Sequence, residues 1–367
     1  MAAITALTMP TWGMSMTEGT IVGWNASEGD LIDAGQELAE IETTKLTGTY
    51  EAHQGGQVLR RIVAEVGQTL ACGALIGVLA DADVSDAEID AFVAGYSPEE
   101  AGEGAAGGPV ETQMTVSGTA LNVLTAGDGP GLPVLFIHGF GGNTGNWSLS
   151  VAAHATDRRV VAVDLPGHGK SAKVVAPATP EHFAKLIAQV MSDLGISRYH
   201  LVGHSYGALI AGMLAATNRA AVAGLVLVDP AGASAEGASD YVNRFVQSTD
   251  RKALKSTMEM LVANKDLISR SMVAEVLDDR RIEGVQATLV AIAADLTART
   301  GTFGKLPAEL LKRTLVVWGE QDKIFPAAHA RNFDAETVIV PDVGHMPHIE
   351  WPEFNRKLAA FLKTHEE

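Results

Sequence analysis

The sequence Leu201-Val-Gly-His-Ser-Tyr-Gly-Ala208 follows an apolar stretch and opens a helical one. Two glycines flank the serine in the spacing G-x-S-x-G, which permits the sharp strand-to-helix turn called a nucleophile elbow. Such a turn lifts the Ser205 hydroxyl above the end of the strand, and the helix N-terminus behind it favours developing negative charge. The motif therefore predicts a nucleophilic serine at the edge of a sheet covered by helices.

Apolar runs like the one before this turn recur through the second part of the chain. They are continuous rather than alternating, which is typical of parallel strands that are buried on both faces. We predict five such strands, at 134–138, 160–164, 199–203, 225–229 and 314–318. Helices are predicted at 180–194 and 208–217, the first with Pro180 in its opening turn. The predicted fold class of this part is α/β.

A serine hydroxyl is a weak nucleophile, so the motif requires a base and an acid that orients the base. Asp322 follows the strand at 314–318, and His345 follows a glycine late in the chain. The order Ser, Asp, His is the one that α/β folds with this elbow use. Asp229 is an alternative acid at the end of another strand, and His348 is an alternative base. Their positions in typical strand-end and loop segments favour Asp322 and His345.

The segment His138-Gly-Phe-Gly-Gly142 follows a predicted strand and has the composition of an oxyanion loop. The backbone N–H groups of Phe140 and Tyr206 are predicted to stabilise a tetrahedral oxyanion, and one such donor is worth about 3–4 kcal/mol. Together with Asp164-Leu-Pro-Gly-His-Gly-Lys-Ser171, these motifs resemble the α/β-hydrolase family over residues 113–367. The resemblance implies acyl transfer by a Ser-His-Asp site. Residues 233–305, which have few turn signals, are interpreted as a helical cap over the pocket.

The first 80 residues contain an internal repeat around Lys45. Residues 28–38 align with residues 66–76, which pairs Gly35 with Gly73. Two similar halves of strand-turn-strand sequence predict a small, pseudo-symmetric, all-β sandwich. Lys45 lies between the halves, where the chain must reverse. The repeat therefore predicts a lysine displayed at a hairpin tip.

The sequences Met9-Pro-Thr-Trp-Gly13 and Glu40-Ile-Glu-Thr-Thr-Lys45 closely resemble the lipoyl domain of 2-oxo acid dehydrogenase complexes, over residues 1–80. The resemblance implies that Lys45 carries lipoic acid in amide linkage. The family usually has Asp before this lysine, where this chain has Thr44. A biotin carrier would have Met on both sides of its lysine. The flanking residues Thr44 and Leu46 therefore favour a lipoyl group over biotin.

Residues 81–112 are predicted to be a linker that contains one short helix. Residues 81–108 include Asp and Glu but no Lys or Arg. Ser85 followed by Glu88 is a capping-box pattern, which predicts a helix that ends near Gly95. The Gly, Ala, Glu and Pro residues after it are typical of a flexible tether. Such a tether raises the effective concentration of a carried group at a nearby active site.

The chain is acidic overall, with 27 Lys and Arg against 44 Asp and Glu in 367 residues, and a formal charge of −17. That charge argues against nucleic acid or an anionic membrane as a partner. Cys72 is the single cysteine, which excludes a disulfide framework and favours a reducing compartment. No run has the length of a membrane span, and the first residues lack a secretory pattern. We expect a cytoplasmic protein without a metal site.

The two halves together resemble the dihydrolipoamide acetyltransferase component of acetoin dehydrogenase complexes. This resemblance implies acetyl transfer from S-acetyl-dihydrolipoyl-Lys45 through Ser205 to coenzyme A. It also implies two partners, a thiamine-diphosphate-dependent acetoin-cleaving component and a flavin dihydrolipoamide dehydrogenase, within a homo-oligomer or multienzyme complex. Two alternatives are a thioester hydrolase that discharges the arm and a non-catalytic carrier or assembly subunit. The complete Ser-Asp-His set argues against the second alternative.

Overall fold

The computed structural model describes residues 4–10, 18–33, 35–43, 47–52, 55–96, 109–233, 239–299 and 306–366. The chain divides into two compact units, Met1–Gly108 and Pro109–Glu367. Lys45 and its neighbours Thr44 and Leu46 lie outside the described residues, as does the tether at 97–108. Within the described ranges, no helix combines the length and the apolar character needed to cross a membrane.

Two four-stranded antiparallel sheets build the first unit. Their strand orders are β1-β8-β6-β3 and β5-β4-β2-β7. The strands are β1 Ile4–Thr8, β2 Glu18–Trp24, β3 Leu31–Ile32, β4 Glu37–Glu42, β5 Thr47–Glu51, β6 Gln57–Ile62, β7 Thr69–Ala71 and β8 Leu75–Ala80. Ile21 and Ile41 from one sheet and Ile32 and Ile76 from the other share a fully buried core. The predicted β sandwich is confirmed.

The repeat in sequence is also a repeat in backbone conformation. Gly35 and Gly73 have φ values of 79° and 82°, a left-handed conformation that glycine adopts without steric cost. The Gly35 N–H donates to the Ala52 carbonyl oxygen at 2.7 Å, and the Gly73 N–H donates to the Met9 carbonyl oxygen at 2.8 Å. Strands β4 and β5 pair as far as Glu42 opposite Thr47. The four residues 43–46 therefore connect the two strands, and this connection contains Lys45.

The helix α1 (Asp86–Gly95) packs on the outer face of the sheet that contains β8. The side chain of Ser85 accepts from the Glu88 N–H, and the Glu88 carboxylate accepts from the Ser85 N–H at 2.9 Å, so the predicted capping box is present. Ile89 is fully buried against the sheet, and the Tyr96 hydroxyl donates to backbone of the sandwich at 2.8 Å. Residues 81–96, which composition placed in the linker, are thus an ordered part of the first unit.

The second unit contains one sheet of seven strands in the order β11-β10-β12-β13-β14-β15, with β9 paired antiparallel to β10 and the other pairs parallel. The strands are β9 Val110–Val116, β10 Thr119–Ile137, β11 Arg158–Val163, β12 Tyr199–His204, β13 Val222–Val228, β14 Thr314–Gly319 and β15 Glu336–Val340. All five predicted strands are present within β10 to β14, and the α/β class is confirmed. Residues 110–112, predicted as the end of the linker, are instead paired in β9.

Helices cover both faces of this sheet and fill the segment between β13 and β14. They are α2 Ser148–His154, α3 Pro180–Asp193, α4 Tyr206–Thr217, α5 Ser239–Gln247, α6 Arg251–Met258, α7 Arg270–Arg280, α8 Val285–Ala298, α9 Ala308–Leu311, α10 Pro347–Glu350 and α11 Phe354–Thr364. The helix α4 begins at Tyr206, two residues before its predicted start. The segment predicted as a cap contains α5 to α8. Because β12, β13 and β14 are parallel neighbours, the residues that follow them meet at one edge of the sheet.

Candidate active site

Ser205 occupies a strained turn between β12 and α4. Its φ is 53° and its ψ is −115°, and the residue is buried, with 8% exposure. A Cβ atom at Gly207 would lie 2.3 Å from the Ile137 carbonyl oxygen, so only glycine fits at that position. Non-glycine residues in such conformations cost about 1–3 kcal/mol and persist where the surrounding structure enforces them. The turn has the geometry of a nucleophile elbow.

His345 and Asp322 form a buried hydrogen-bonded pair at the same edge of the sheet. The distance between His345 Nδ1 and Asp322 Oδ2 is 2.8 Å, and His345 is 1% exposed. If Nδ1 donates this bond, the neutral imidazole keeps a lone pair on Nε2, as a general base requires. The His204 ring donates from Nε2 to the His345 carbonyl oxygen at 2.7 Å. Because His204 directly precedes Ser205, this bond brings the serine turn and the histidine loop together.

The Asp322 carboxylate is surrounded by hydrogen-bond donors. Its Oδ1 accepts from the backbone N–H groups of Ile324 at 2.7 Å and Phe325 at 3.0 Å. Its Oδ2 accepts from the Trp318 indole at 3.1 Å, in addition to His345. Burial alone would raise the pKa of Asp322, but His345 and the backbone donors outweigh it and hold that pKa below its ordinary value. Asp322 is therefore a carboxylate that can stabilise a charged His345.

The two alternatives from the sequence lie close by but are bonded differently. Carboxylate oxygens of Asp229 and Asp322 and a ring nitrogen of His345 all lie within 4.8 Å of one another. The Asp229 Oδ1 atom accepts instead from the Gly319 N–H at 3.0 Å. The His348 ring stacks 4.4 Å from Trp147, and neither of its nitrogens has a hydrogen-bond partner among the described residues. These contacts favour Asp322 as the acid and His345 as the base.

Two neutral histidines brace the loop that carries Phe140. The Leu165 N–H donates to His138 Nε2 at 2.9 Å, and the Gly141 N–H donates to His168 Nε2 at 3.0 Å. Both rings accept, so both must lack a proton on Nε2. The motif that contains His168 was visible in the sequence, but its contact with the loop was not. The second predicted oxyanion donor, Tyr206, is the first residue of α4, where an N–H has no acceptor in its own helix.

The cap segment contacts the same loop. The Phe140 and Phe245 rings pack edge to face, with centroids 5.3 Å apart. The Arg280 guanidinium lies 5.3 Å from the centre of the Phe245 ring and donates to the carbonyl oxygens of Val246 and Ser248 at 2.9 and 2.8 Å. Sequence reasoning missed Phe245 and Arg280, because no spacing connects residues on different helices. These contacts fix the end of α5 against the proposed oxyanion loop.

We predict that the protein loses stability in mild acid because of five buried histidines. Burial lowers the pKa of His138, His154 and His200 to about 4, and that of His168 and His348 to about 3. The unfolded chain protonates these rings below about pH 6.5, whereas the folded chain does not. The contribution of these rings to the free energy of unfolding is therefore fully present above about pH 6.5. It falls towards pH 4, by up to about 1.4 kcal/mol per pH unit for each ring.

Urea unfolding at about pH 7 and at about pH 5.5 measures this effect, and the free energy of unfolding should be several kcal/mol lower at the acid pH. The variant His348→Phe removes one of the five rings that take up a proton on unfolding. It breaks no hydrogen bond among the described residues. Its stability should fall less steeply with pH than that of the wild type. Equal unfolding free energies at the two pH values would contradict the prediction.

Comparison with known proteins identifies relatives along the whole chain. The family described as "Biotin-requiring enzyme" matches residues 5–79, and the family described as "alpha/beta hydrolase fold" matches residues 133–352. The chain is 38% identical to the dihydrolipoyllysine-residue acetyltransferase component of the acetoin cleaving system of Pseudomonas putida, over 100% of both chains. It is 39% identical to the protein of the same name from Cupriavidus necator, over 99% of this chain and 97% of that one.

A solved structure resembles the second unit. A serine hydrolase involved in carbazole degradation superposes with a TM-score of 0.62 at 25% identity, and the match covers 70% of this chain and 100% of that one. This likeness agrees with the α/β fold of the second unit.

Proposed function

The chain belongs to the family of dihydrolipoyllysine-residue acetyltransferase components of acetoin cleaving systems, and from this premise we propose that Ser205, His345 and Asp322 carry out its acetyl transfer. The observation that carries the proposal is the 2.8 Å bond between His345 and Asp322. His204, the residue before Ser205, links that bond to the elbow by donating to the His345 carbonyl oxygen, and Ser205 is held there at φ 53°. The donor is the S-acetyl-dihydrolipoyl group on Lys45, and the acceptor is the thiol of coenzyme A.

The first half-reaction moves the acetyl group from sulfur to oxygen. His345 Nε2 takes the proton of the Ser205 hydroxyl while Oγ bonds to the thioester carbonyl carbon. The carbon–sulfur bond then breaks, and the imidazolium returns the proton to the departing sulfur. Asp322 stabilises the imidazolium and holds its tautomer. The lipoyl group supplies the acetyl group as a thioester and leaves as a thiol.

The second half-reaction reverses these roles with a new thiol. His345 takes the proton of the coenzyme A thiol, whose sulfur bonds to the acetyl carbon on Ser205. The bond to Oγ breaks, and Ser205 recovers its proton from His345. In both halves the N–H groups of Phe140 and Tyr206 stabilise the oxyanion. The His168 ring supports this by holding the Gly141 N–H, which fixes the shape of the loop.

An acetyl group on serine must survive until the thiol arrives. Water competes for it, so a transferase requires a site from which water is largely excluded. Ser205 is 8% exposed and His345 is 1% exposed, and the Phe140 and Phe245 rings cover the adjoining loop. This low exposure is what a site that limits water requires, and the assignment of a thiol as the acceptor rests on the family.

The family premise also supports a wider assembly. We propose that the chain works in a multienzyme complex with a thiamine-diphosphate-dependent acetoin-cleaving component and a flavin dihydrolipoamide dehydrogenase. The first would load the arm on Lys45, and the second would reoxidise it. The four-residue connection between β4 and β5 that contains Lys45 fits a displayed attachment site. The single cysteine supports a cytoplasmic location for this complex.

The proposal is tested by giving the lipoylated protein S-acetyl-dihydrolipoamide with and without coenzyme A. Acetyl-CoA and free acetate are measured in the same samples. We expect rapid formation of acetyl-CoA when coenzyme A is present and only slow release of acetate when it is absent. Release of acetate at the same rate with and without coenzyme A would identify a thioester hydrolase and overturn the proposal.

A further inference from the structure

A second carboxyl group lies against the acid of the proposed triad. Asp229 directly follows β13, is fully buried and has a φ of 43°, a backbone conformation that is rare for residues other than glycine. One of its carboxyl oxygens lies within 4.8 Å of an Asp322 oxygen and of a His345 ring nitrogen. Nothing in the reaction described above uses Asp229. A buried and strained aspartate beside a catalytic pair requires a chemical explanation.

Two buried carboxylates at this separation do not both ionise, because their like charges raise the pKa of one of them. The donors around them show which one keeps the negative charge. Asp322 accepts four hydrogen bonds, from Trp318, Ile324, Phe325 and His345. Asp229 accepts one, from the Gly319 N–H to Oδ1, and its Oδ2 has no donor among the described residues. The charge therefore resides on Asp322 and the proton on Asp229.

We propose that Asp229 is a neutral carboxylic acid that donates a hydrogen bond to the Asp322 carboxylate and thereby positions the acid of the triad. The inference rests on the proposed function in one respect, namely that Asp322 is the acid that serves His345. A proton on the unpartnered Oδ2 would give Asp322 a fifth donor, and an oxygen of each carboxyl group lies within 4.8 Å of the other. Asp229 is a positioning residue, because it acts through Asp322.

The charged groups around Asp229 agree with this assignment. Burial is the largest cause that raises the pKa of Asp229 well above its ordinary value, and the negative charge of Asp322 is the next. Glu350, from α10, raises it further, and the Gly319 N–H opposes these effects. His345, which also lies within 4.8 Å, bonds to Asp322 rather than to Asp229.

The direct test is infrared spectroscopy of the full-length protein labelled with ¹³C-aspartate at neutral pH. The spectrum of the wild type minus that of Asp229→Asn should contain the band of a protonated aspartic acid. The matched control is Asp342→Asn, which makes the same change at an exposed aspartate that also has a positive φ of 59°. That difference spectrum should contain only a carboxylate band. A carboxylate band alone for Asp229→Asn would overturn the proposal.

A pH profile separates a positioning role from a merely structural one. The amide of Asp229→Asn is neutral and can donate to Asp322, so the acid limb of kcat/KM should keep its pKa. If Asp229 were ionised in the wild type, losing its charge beside His345 would lower that pKa by about one unit or more. The variant Asp229→Ala removes the donor, and its kcat/KM should be about ten- to a hundredfold below that of Asp229→Asn. Equal kcat/KM values for the two variants would contradict the proposal that Asp229 donates a hydrogen bond to Asp322.

A third variant covers the case in which changes at Asp229 prevent folding. In Asp322→Asn the neighbouring negative charge is gone, so the protonated-aspartate band of Asp229 should disappear at a lower pH than in the wild type. An unchanged titration would mean that the two carboxyl groups do not interact, and would refute the inference. These spectra do not depend on turnover. A failure of the proposed acetyl transfer would therefore be seen separately, in the acetyl-CoA assay.

Discussion

The variant Ser205→Ala is expected to lose acetyl transfer almost completely, with kcat lowered by a factor of about 10⁴ to 10⁶. The reaction proceeds through an oxygen nucleophile that alanine lacks, and His345 and Asp322 have no function without it. The loss should apply equally to transfer to coenzyme A and to release of acetate, because both begin with the same acetyl-serine. Acetyl-CoA and acetate production from S-acetyl-dihydrolipoamide measure it.

The control for this variant is Ser197→Ala, which makes the same change at an exposed serine outside the site and should leave turnover unchanged. The backbone at Ser205 provides a second control. Alanine at φ 53° remains strained, whereas Ser205→Gly relieves the strain and should raise the free energy of unfolding by about 1 kcal/mol. Substantial turnover in a correctly folded Ser205→Ala would remove this residue from the mechanism.

The variant Lys45→Arg is expected to abolish acetoin-dependent formation of acetyl-CoA in a reconstituted complex. The guanidinium keeps the positive charge but stays protonated and is not acylated, so no lipoyl group can be attached. Free S-acetyl-dihydrolipoamide should still be a substrate, because the Ser205 site is intact. What is lost is the presentation of the acetyl group by the arm on Lys45. A tethered acetyl group reaches an effective concentration at the active site that a free one does not. Mass spectrometry of the intact chain and both assays measure these outcomes together.

The matched control is Arg61→Lys, also in the first unit, whose ion pair with Asp90 is largely exposed and so contributes little to stability. This variant should be lipoylated and should support acetoin-dependent turnover like the wild type. Normal turnover of Lys45→Arg in the reconstituted complex would mean that another residue carries the cargo, and would contradict the assignment of Lys45.

The features that the sequence predicted are those that local rules control. The α/β class followed from continuous apolar runs, since strands buried on both faces leave no room for alternation. The elbow followed from two glycines at fixed spacing. At Gly207 any side chain is excluded, because a Cβ atom there would lie 2.3 Å from a carbonyl oxygen. The β sandwich followed from a repeat in which Gly35 and Gly73 need the same positive φ. Each of these is a property of a few consecutive residues.

The extent of the linker could not be predicted from composition. The acidic composition of residues 81–96 predicts a linker with one short helix; the helix is present, but its buried side chain Ile89 attaches it to the sheet. Composition also predicts that the linker continues to residue 112, but residues 110–112 form the start of β9 for a different reason. An edge strand can be polar because one side faces solvent, and its backbone bonds to β10 do not depend on side-chain type.

The sequence by itself determined which chemical groups the chain has and which strands they follow: a lysine between β4 and β5, a serine on an elbow after β12, and acids and histidines after later strands. It could not determine which of these groups bond to one another. Asp229 and Asp322 both follow parallel strands at one sheet edge, and His345 and His348 lie close together in the sequence, on either side of the start of α10. Only the tertiary structure joins His345 to Asp322 and leaves a proton for Asp229. A hydrogen bond depends on the distance and direction between side chains from separate strands, and no local pattern encodes either.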